Sequence, residues 1–421
     1  MYSTHTHDKT ESWIGEKKYR LADFFNQHWD KYKQSPTEPI TPEQYKAVNA
    51  IRVCRTEALG IDYYACPDCG ETTKVYHSCK NRFCPTCSWN DTLKWADKIK
   101  DKMMDMPHRH VVMTLPHQLN TLIKKHKKEL LSALMRVSAD TFKDWMLYKY
   151  NIVPGIIAVL HTFGEIKQYH VHAHMIVSWG GINNKTSALQ AIENEYVNYD
   201  FMKNKFRCKF EDELFALFNN GTFQDDFSGE SEFLQFIKHI NKKKWIIHLE
   251  PPMEIPTQVV RYIGRYSKRA CLSEYKITKM EGEYITFKYK DNKTKDCNNK
   301  PIEQELELNY RDFFPRLLQH VPLKYFRIVR YYGSYSNRIK IPEEYLYKEN
   351  ENENKEQEIQ PVENWEELQI SKTGTNPLIC SSCKKRKIYL YTRLKSRSEN
   401  IAITFKRILL SKNEFRKEDA A

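Results

Sequence analysis

The sequence lacks any long apolar run. No segment approaches the roughly 18 to 20 consecutive apolar residues that a membrane-spanning helix needs, and the first residues lack the apolar core of a secretory signal. These absences argue against a membrane-spanning protein and predict a soluble, intracellular one with no membrane partner.

The sequence also lacks an internal repeat of the solenoid type. A chain of 421 residues can hold two or three domains, each with its own core, so it does not depend on disulfides for stability. Composition and spacing predict five segments, which are a helical segment at 1–50, a cysteine-rich module at 51–106, a main domain at 107–345, an acidic linker at 346–370 and a basic tail with a Cys-x-x-Cys pair at 371–421.

Negative charge is in deficit. Lys and Arg number 67 against 54 Asp and Glu, which gives a formal net charge of +13 and favours a polyanionic partner. Aromatic residues make up 13% of the chain and include 26 Tyr. Interleaved rings and cations suit single-stranded nucleic acid, because bases stack on rings while phosphates pair with Arg or Lys.

The apolar pattern predicts an α+β fold. From residue 107 the order of elements is βαββαβ, which is typical of a ferredoxin-like antiparallel sheet with helices on one face. The predicted strands are 109–115, 155–162, a histidine-rich strand from about 168, and 245–249. The predicted helices are one at 118–146 and two between 211 and 241, with further helices near 19–25, 43–48, 90–106 and 309–318.

Six of the eleven cysteines crowd between Cys54 and Cys87, and in a reducing compartment such clustering favours a metal over disulfides. The pairs Cys66-x-x-Cys69 and Cys84-x-x-Cys87 have the spacing of a four-thiolate zinc ribbon. We expect this zinc ion to be structural, because it replaces a core that so short a segment could not build.

Other cysteines leave the number of zinc ions open. Three more side chains could belong to the zinc shell or help to hold a second ion, namely Cys79, His77 and Cys54. We include Cys79 in the predicted ligand set. Otherwise these side chains are plain buried or reduced ones. Cys380 and Cys383 form only half of a zinc site. They are an ordinary reduced pair unless ligands from elsewhere join them.

Three histidines alternate along one predicted strand, at His170, His172 and His174. Side chains two apart on a strand share a face and lie about 6.5 to 7 Å apart at Cα, so neighbouring rings can converge on one ion. We expect a divalent cation on His172 and His174, which adjoin the apolar run at 175–177. Gln258 and His170 are rival third ligands.

A second group of functional residue types lies between 258 and 269. Gln258, Tyr262 and Tyr266 are spaced by four and would share one face of a helix. Such aromatic pairs usually pack into a core, but beside a metal they suit transesterification, in which a tyrosine hydroxyl attacks a phosphodiester and becomes esterified to DNA. The basic residues expected to contact DNA are Arg82, Arg261, Arg265, Lys268, Arg269, Arg327 and Arg330.

Six motifs occur in order between residues 54 and 338. They are Cys66-x-x-Cys69, Ser78-Cys-Lys-Asn-Arg-Phe-Cys-Pro-x-Cys87, His110-Val-Val-Met-Thr-Leu-Pro116, His172-Ala-His174, Tyr262-Ile-Gly-Arg-Tyr266 and Phe326-Arg-Ile-Val-Arg-Tyr-Tyr-Gly333. The set resembles the HUH single-strand endonucleases, most closely the two-tyrosine rolling-circle transposases of the insertion sequence 91 type. Ala173 is smaller than the bulky apolar residue usual between the two histidines.

The resemblance implies a zinc-binding, DNA-binding domain at 51–106 and an HUH nuclease domain with a tyrosine helix at 107–345. It implies structural zinc, Mg²⁺ or Mn²⁺ at the histidine pair, and a 5′-phosphotyrosine intermediate with Tyr262 and Tyr266 as alternating nucleophiles. The expected substrates are single-stranded DNA and hairpin transposon ends. The expected function is rolling-circle transposition in the bacterial cytoplasm, at the nucleoid, and a homodimer is compatible with it.

Two alternatives stay open. A replication initiator or conjugative relaxase of the HUH type would use the same chemistry, although a zinc ribbon ahead of the histidine strand favours the transposase. A zinc-dependent DNA-binding protein without catalysis would use the histidines for a structural metal and bury the tyrosines.

Overall fold

The computed structural model describes residues 19–193, 196–253, 270–296, 300–348, 366, 370 and 376–394. Within these ranges the chain is a mixed α and β protein whose strands pair in antiparallel sheets, as the predicted α+β class requires. None of the helices in the same ranges is long and apolar enough to cross a membrane.

The N-terminal part consists of helices around a short hairpin. The second helix begins at a capping box, in which the Thr41 side chain accepts from the Gln44 backbone and the Gln44 side chain accepts from the Thr41 backbone. The elements are α1 (Leu21–Tyr32), α2 (Pro42–Arg52), β1 (Ile61–Ala65), β2 (Thr72–Tyr76) and α3 (Pro85–Lys100).

The central part alternates strands with helices. Its elements are β3 (His108–Thr114), α4 (Asn120–Lys125), α5 (Lys127–Tyr150), β4 (Ile152–Val153), β5 (Gly155–Phe163), β6 (Tyr169–Ser178), β7 (Gly180–Asn183), β8 (Leu189–Ala191), α6 (Tyr199–Asn219), α7 (Glu230–Asn241) and β9 (Ile246–Leu249). The later elements are β10 (Ile277–Glu281), β11 (Tyr284–Lys295), β12 (Pro301–Asn309), α8 (Tyr310–Leu318), β13 (Val329–Gly333) and β14 (Ile388–Arg393).

A five-stranded sheet organises the central part. Its order is β13-β5-β6-β3-β9, and every neighbouring pair is antiparallel. Helix α5 packs against β5 and β6, and α6 contacts both α5 and β9. One face of the sheet is therefore covered by helices, with Met113, Ala173 and Met175 in the same core cluster as Phe142 and Phe206.

A second core lies under the N-terminal helices. It joins α1 and α2 to α8 and β11, and it is rich in aromatic side chains such as Phe25, Trp29 and Phe314, each of which is fully buried. Cys54, Cys84 and Cys87 belong to this core cluster, so a set of thiols is built into it.

Several predicted elements have different bounds in the structure. Helix α3 begins at Pro85 rather than near Asn90, because Cys84 caps it with extended backbone and proline suits the first helical position. The single helix expected at 118–146 is interrupted at His126, which has non-helical backbone angles and an imidazole bonded to Asp226. Strands β13 and β14 were not expected, and both pair with elements far away in sequence.

Candidate active site and metal centres

The three alternating histidines lie on β6, on the face of the central sheet that α5 does not cover. Val171, Ala173 and Met175 point to the helix-covered core, so the intervening positions point the other way. The small Ala173 is completely buried in that core. The alternation predicted from sequence is confirmed.

A fourth histidine joins this face from the neighbouring strand. In the antiparallel pairing of β5 with β6, His161 lies directly opposite His172. One donor nitrogen from each of His161, His172 and His174 lies within 4.8 Å of the others, which makes these three, the histidine cluster, a candidate metal site. His161 was missed in the sequence. The signal was available, because residues 161 and 172 are symmetric about the short turn between the two strands.

The structure tests one of the two predicted third ligands, His170. Among the described residues the group within reach of one ion is completed by His161 and does not include His170. The His170 ring lies 5.1 Å from that of His172, between centroids. Gln258 lies outside the described residues, so its role as a ligand stays a prediction.

A hydrogen bond fixes the tautomer of the His172 imidazole. Its Nδ1 lies 3.0 Å from the backbone oxygen of His170. A carbonyl oxygen only accepts, so Nδ1 carries the proton and Nε2 keeps its lone pair. That lone pair is what a metal ligand needs.

Two further side chains, His110 and Glu250, fix the tautomer of the His174 imidazole. Glu250 Oε1 lies 3.1 Å from His110 Nδ1, and His110 Nε2 lies 2.8 Å from His174 Nδ1. The negative charge of the carboxylate favours a proton on His110 Nδ1, which leaves His110 Nε2 as the acceptor for His174 Nδ1–H. His174 then keeps the lone pair of Nε2. Such outer partners commonly orient metal-binding histidines.

The electrostatic surroundings keep both rings neutral. Burial, followed by the nearby imidazoles, of which His161 is the foremost, holds the pKa of His172 and of His174 well below its usual range. Neutral imidazole is the form that binds metal, so the cluster does not need to lose protons near pH 7.

A four-thiol cluster lies where the N-terminal part meets the second core. It consists of Cys54, Cys79, Cys84 and Cys87, and we refer to it as the buried cysteine cluster. Three of its sulfur–sulfur distances are 3.6, 3.6 and 3.8 Å. A tetrahedron of sulfurs around zinc at about 2.3 Å has edges of about 3.8 Å. The sulfurs therefore fit one structural zinc ion.

The surroundings of the buried cysteine cluster lower the pKa of two of its thiols, Cys54 and Cys87, and raise the pKa of the other two, Cys79 and Cys84. Cys84 caps α3 and Cys87 lies in its first turn, where the helix dipole stabilises negative charge. Hydrogen bonds from neighbouring thiols, that of Cys79 foremost, lower the pKa of Cys54 to about 7. Thiolate is the metal-binding form.

The other predicted pair, Cys66 and Cys69, belongs to a different cluster. These residues converge with Cys380 and Cys383, and we refer to the four as the outer cysteine cluster. The expectation that Cys66 and Cys69 share one zinc with Cys84 and Cys87 is wrong.

The length of the β1–β2 hairpin separates the two predicted cysteine pairs. Cys54 precedes the β1–β2 hairpin and Cys79 follows it, so both are at its base, beside the start of α3. Cys66 and Cys69 form the tip, about 16 Å away along strands of five residues at about 3.3 Å each. His77 is not a ligand in the described clusters, and its Nε2 lies 2.9 Å from Asp62 Oδ1.

Predicted DNA-binding arginines from two parts of the chain meet at one residue. Arg82 Nη1 donates to the backbone oxygen of Phe326 at 3.3 Å, and the Arg330 guanidinium lies 5.1 Å from the Phe326 ring centroid. Arg330 also donates to Ser132 Oγ at 2.8 Å, while Arg327 is exposed. Arg330 packs against Phe326 and Ser132 but stays partly exposed, and Arg327 is exposed to solvent.

A cleft lies between Arg82 and one member of the histidine cluster, His161. Its lining includes Arg82 from the N-terminal part, Lys127 from α5, and His161, Tyr169 and His320. Two cations and several rings therefore share this cleft with His161, an arrangement suited to phosphates and bases. Tyr262, Tyr266, Arg261, Arg265, Lys268 and Arg269 lie outside the described residues.

Two family models match the chain. Residues 24–115 match the family described as "Transposase zinc-binding domain", of the IS91 type, and residues 155–342 match the Y2_Tnp family, described as "Putative transposase". The first range holds the buried cysteine cluster, and the second holds the histidine cluster. No solved structure matches the chain.

Curated relatives carry names of the same kind. "Putative transposase y4qJ" of Sinorhizobium fredii (strain NBRC 101917 / NGR234) is 27% identical over 328 residues, which cover 76% of this chain and 81% of the relative. "Transposase for insertion sequence element IS801" of Pseudomonas savastanoi pv. phaseolicola is 27% identical over 307 residues, which cover 70% of this chain and 71% of the relative.

Proposed function

We propose that this chain, which belongs to the IS91-type transposases, cleaves and rejoins single-stranded DNA at transposon ends through a 5′-phosphotyrosine and so drives rolling-circle transposition. The observation that carries the proposal is the histidine cluster. Three imidazoles lie within reach of one ion, and hydrogen bonds leave Nε2 of His172 and His174 available to it. One member of the cluster, His161, lines a cleft that also contains Arg82, Lys127 and several rings.

The topology supports an HUH nuclease domain. Taken in chain order, β3, β5, β6 and β9 occupy the sheet as β5-β6-β3-β9, with α5 between the first two and α6 and α7 between the last two. This is the order of a ferredoxin-like βαββαβ unit. We assign β13 as an added edge strand on that unit.

We propose Mg²⁺ or Mn²⁺ as the active-site cation, held by His172 and His174 with His161 as third ligand. The donor set fits, because imidazole is a common ligand of transition metals, and nitrogen ligands suit Mn²⁺ better than Mg²⁺. When bound, the cation supplies Lewis-acid polarisation of the scissile phosphate. His110 and Glu250 hold His174 in its ligating tautomer.

The nucleophile is Tyr262 or Tyr266. In the first step a bond forms between the tyrosine oxygen and phosphorus, and the bond from phosphorus to the 3′-oxygen breaks, so that the 3′-oxygen leaves as a hydroxyl with the proton that tyrosine gives up. In the second step a strand 3′-hydroxyl attacks the phosphotyrosine and releases the tyrosine. Each step exchanges one phosphodiester for another, so no ATP is required.

The basic residues carry the DNA. Arg82, Arg327 and Arg330 lie at or beside Phe326, and Arg261, Arg265, Lys268 and Arg269 flank the proposed nucleophiles in sequence. Contacts from such residues to phosphates position a strand without reading its bases. We propose single-stranded DNA and hairpin ends as the substrates and the bacterial cytoplasm, at the nucleoid, as the place of action. Action as a homodimer is compatible with the proposal.

A covalent-adduct assay tests the proposal. The full chain is incubated with labelled single-stranded terminal DNA and Mn²⁺ or Mg²⁺, and the protein–DNA adduct is separated under denaturing conditions. We expect an adduct that the Tyr262→Phe, Tyr266→Phe double variant does not form. Tyr148→Phe is the matched control, because Tyr148 is 91% exposed on α5 and has no proposed role.

Peptide mapping by mass spectrometry then identifies the tyrosine that carries the DNA. An undiminished adduct in the double variant would contradict the assigned nucleophiles. Absence of any adduct in the unsubstituted chain, with DNA binding retained, would favour the non-catalytic DNA-binding alternative. Rejoining at a replication origin instead of a transposon end would favour the initiator or relaxase.

A further inference from the structure

We propose that the outer cysteine cluster is a second structural zinc site, built from two half-sites at opposite ends of the chain. Cys66 and Cys69 come from the β1–β2 hairpin, and Cys380 and Cys383 precede β14. The sulfurs that meet are separated by 317 residues for Cys66 with Cys383 and by 311 for Cys69 with Cys380. Both family matches end before Cys380.

The two half-sites have the same backbone geometry. Cys66 N donates to Glu71 O at 2.8 Å, and Gly70 N donates back to Cys66 O at 3.0 Å. Cys380 N donates to Lys385 O at 2.8 Å, and Lys384 N donates back to Cys380 O at 3.1 Å. A repeated turn that aims two sulfurs in one direction is the structure expected of paired zinc knuckles.

The two turns also share a backbone conformation at one corresponding residue. Gly70 and Lys384 both have positive φ, at 75° and 60°. A non-glycine residue adopts this conformation only at a cost, so the turn at Lys384 needs support from its surroundings. Four-thiolate coordination would supply that support.

The sulfur positions fit one ion and no disulfide. The sulfur–sulfur distances are 3.3 Å for Cys66 with Cys383, 3.4 Å for Cys69 with Cys380 and 3.9 Å for Cys69 with Cys383. A disulfide bond is about 2.05 Å long, whereas the edge of a zinc–thiolate tetrahedron is about 3.8 Å. Four thiols that converge in this way are no longer the ordinary reduced pair that Cys380 and Cys383 would be alone.

Pairing outside the cluster holds the two ends together. Strand β14 pairs antiparallel with β1, and the rings of Tyr63 and Tyr391 stack with centroids 4.6 Å apart. Lys387, almost fully buried, donates to Glu71 at 2.8 Å, so an ion pair also crosses between the half-sites. The C-terminal segment therefore completes the hairpin sheet, and we assign residues 376–394 to the zinc-binding domain.

Exposure distinguishes the two zinc sites. Three thiols of the buried cysteine cluster are 3–4% exposed and Cys79 is partly exposed. In the outer cluster Cys66 and Cys380 are buried, but Cys69 is exposed and Cys383 is partly exposed. A chelator reaches an exposed shell more readily, so the outer cysteine cluster should give up its zinc first. Loss of that ion should release residues 376–394 while the buried cysteine cluster remains loaded. This inference does not depend on the proposed function.

Metal content of the purified full chain tests the site. We expect two zinc ions per chain from the two clusters, and one after Cys380→Ser with Cys383→Ser. The Cys66→Ser, Cys69→Ser variant should also hold one ion, and so should the variant with all four substitutions, because the four residues form a single shell. Cys208→Ser, at an exposed cysteine outside both clusters, should keep two.

Two full zinc ions in the Cys380→Ser, Cys383→Ser variant would overturn the proposal. Complete loss of zinc from the fourfold variant would also overturn it, provided that circular dichroism shows that this variant is folded. A measurement on the unsubstituted chain avoids any folding defect. During chelation, alkylation of Cys66, Cys69, Cys380 and Cys383 should follow release of the first ion. Alkylation of Cys380 while both ions are still bound, or a disulfide found there, would exclude the site.

Discussion

The buried cysteine cluster and the histidine cluster both have donor atoms close enough together for one metal ion, but they differ in their surroundings and in their number of ligands. The four thiols lie within the aromatic second core and form a closed tetrahedron. The three imidazoles lie on a sheet face beside a cleft. Closed four-thiolate shells are typical of structural zinc, whereas three protein ligands leave a position for water or substrate.

The difference indicates a division between stability and chemistry. A metal that is part of a core contributes its binding free energy to folding. The histidine cluster instead rests on a sheet that is already packed on its other face by α5, so the fold there does not need the cation. Substitutions in the two clusters should therefore have different consequences.

The largest effect should follow from Cys84→Ser. Loss of structural zinc removes about 10–16 kcal/mol of apparent binding free energy in zinc-finger peptides, comparable to the whole stability of a domain at about 5–15 kcal/mol. We expect the N-terminal part to unfold, which thermal melting and zinc content measure. Cys271→Ser is the matched control, because Cys271 is buried in the same core but belongs to no described cluster.

The control should cost only the burial of a hydroxyl, about 1–3 kcal/mol, with the zinc content unchanged. Equal destabilisation by the two substitutions would mean that the buried cysteine cluster is ordinary packing, and the contrast between the clusters would disappear.

A smaller but specific effect should follow from His174→Ala. We expect adduct formation with single-stranded DNA to fall at least about 100-fold, since a lost ligand removes the cation that activates the phosphate. The melting temperature should change by only a few degrees, at roughly 1 kcal/mol for about 2–4 °C in a domain of about 150–250 residues. His239→Ala, at an exposed histidine on α7, is the control.

The same assay distinguishes the third ligand. His161→Ala should impair adduct formation more than His170→Ala, because His161 and not His170 lies in the histidine cluster. The reverse order would restore the ligand set expected from the sequence alone.

Glu250→Gln should weaken cation binding to an intermediate degree and leave the stability of the fold almost unchanged. An amide weakens the preference for the His110 tautomer that orients His174, and loss of such outer partners typically costs 10–100-fold in metal affinity. We expect the Mn²⁺ concentration needed for half-maximal adduct to rise by that factor, with full activity recovered at saturating Mn²⁺. Glu230→Gln, at an exposed position of α7, should leave the titration unchanged. A variant of Glu250 that stays inactive at any Mn²⁺ concentration would contradict a purely orienting role.

The sequence predicts local features of these sites better than distant ones. The alternation at His172 and His174 is visible within five residues, and the pattern of apolar residues predicts both the α+β class and the helix-covered face. His161 depends on the register of a hairpin, which periodicity alone does not specify. The nucleophiles Tyr262 and Tyr266 remain predictions from sequence.

The cysteines show the same limit more clearly. Spacing predicts Cys66, Cys69, Cys84 and Cys87 as zinc ligands, but it does not predict which pairs share an ion. The hairpin separates the two pairs by its own length, and the partners of Cys66 and Cys69 come from more than 300 residues away. Pairing of this kind depends on tertiary structure, as does the addition of β14 to β1.

The smallest effect should come from a substitution beside the outer cysteine cluster. There the free energy of unfolding should depend least on core packing. Tyr391→Leu removes the stacked contact with Tyr63, and an aromatic pair contributes about 0.5–1.5 kcal/mol beyond its buried area. We expect faster zinc release from the outer cysteine cluster, unchanged release from the buried one, and a melting temperature within a few degrees of the original, all measured by chelator kinetics and thermal melting. Tyr389→Leu is the control, since Tyr389 is 54% exposed and meets Tyr64 only edge to face. Accelerated release from both clusters would mean that they form one cooperative unit, and the buried cluster would then owe part of its stability to the C-terminal strand.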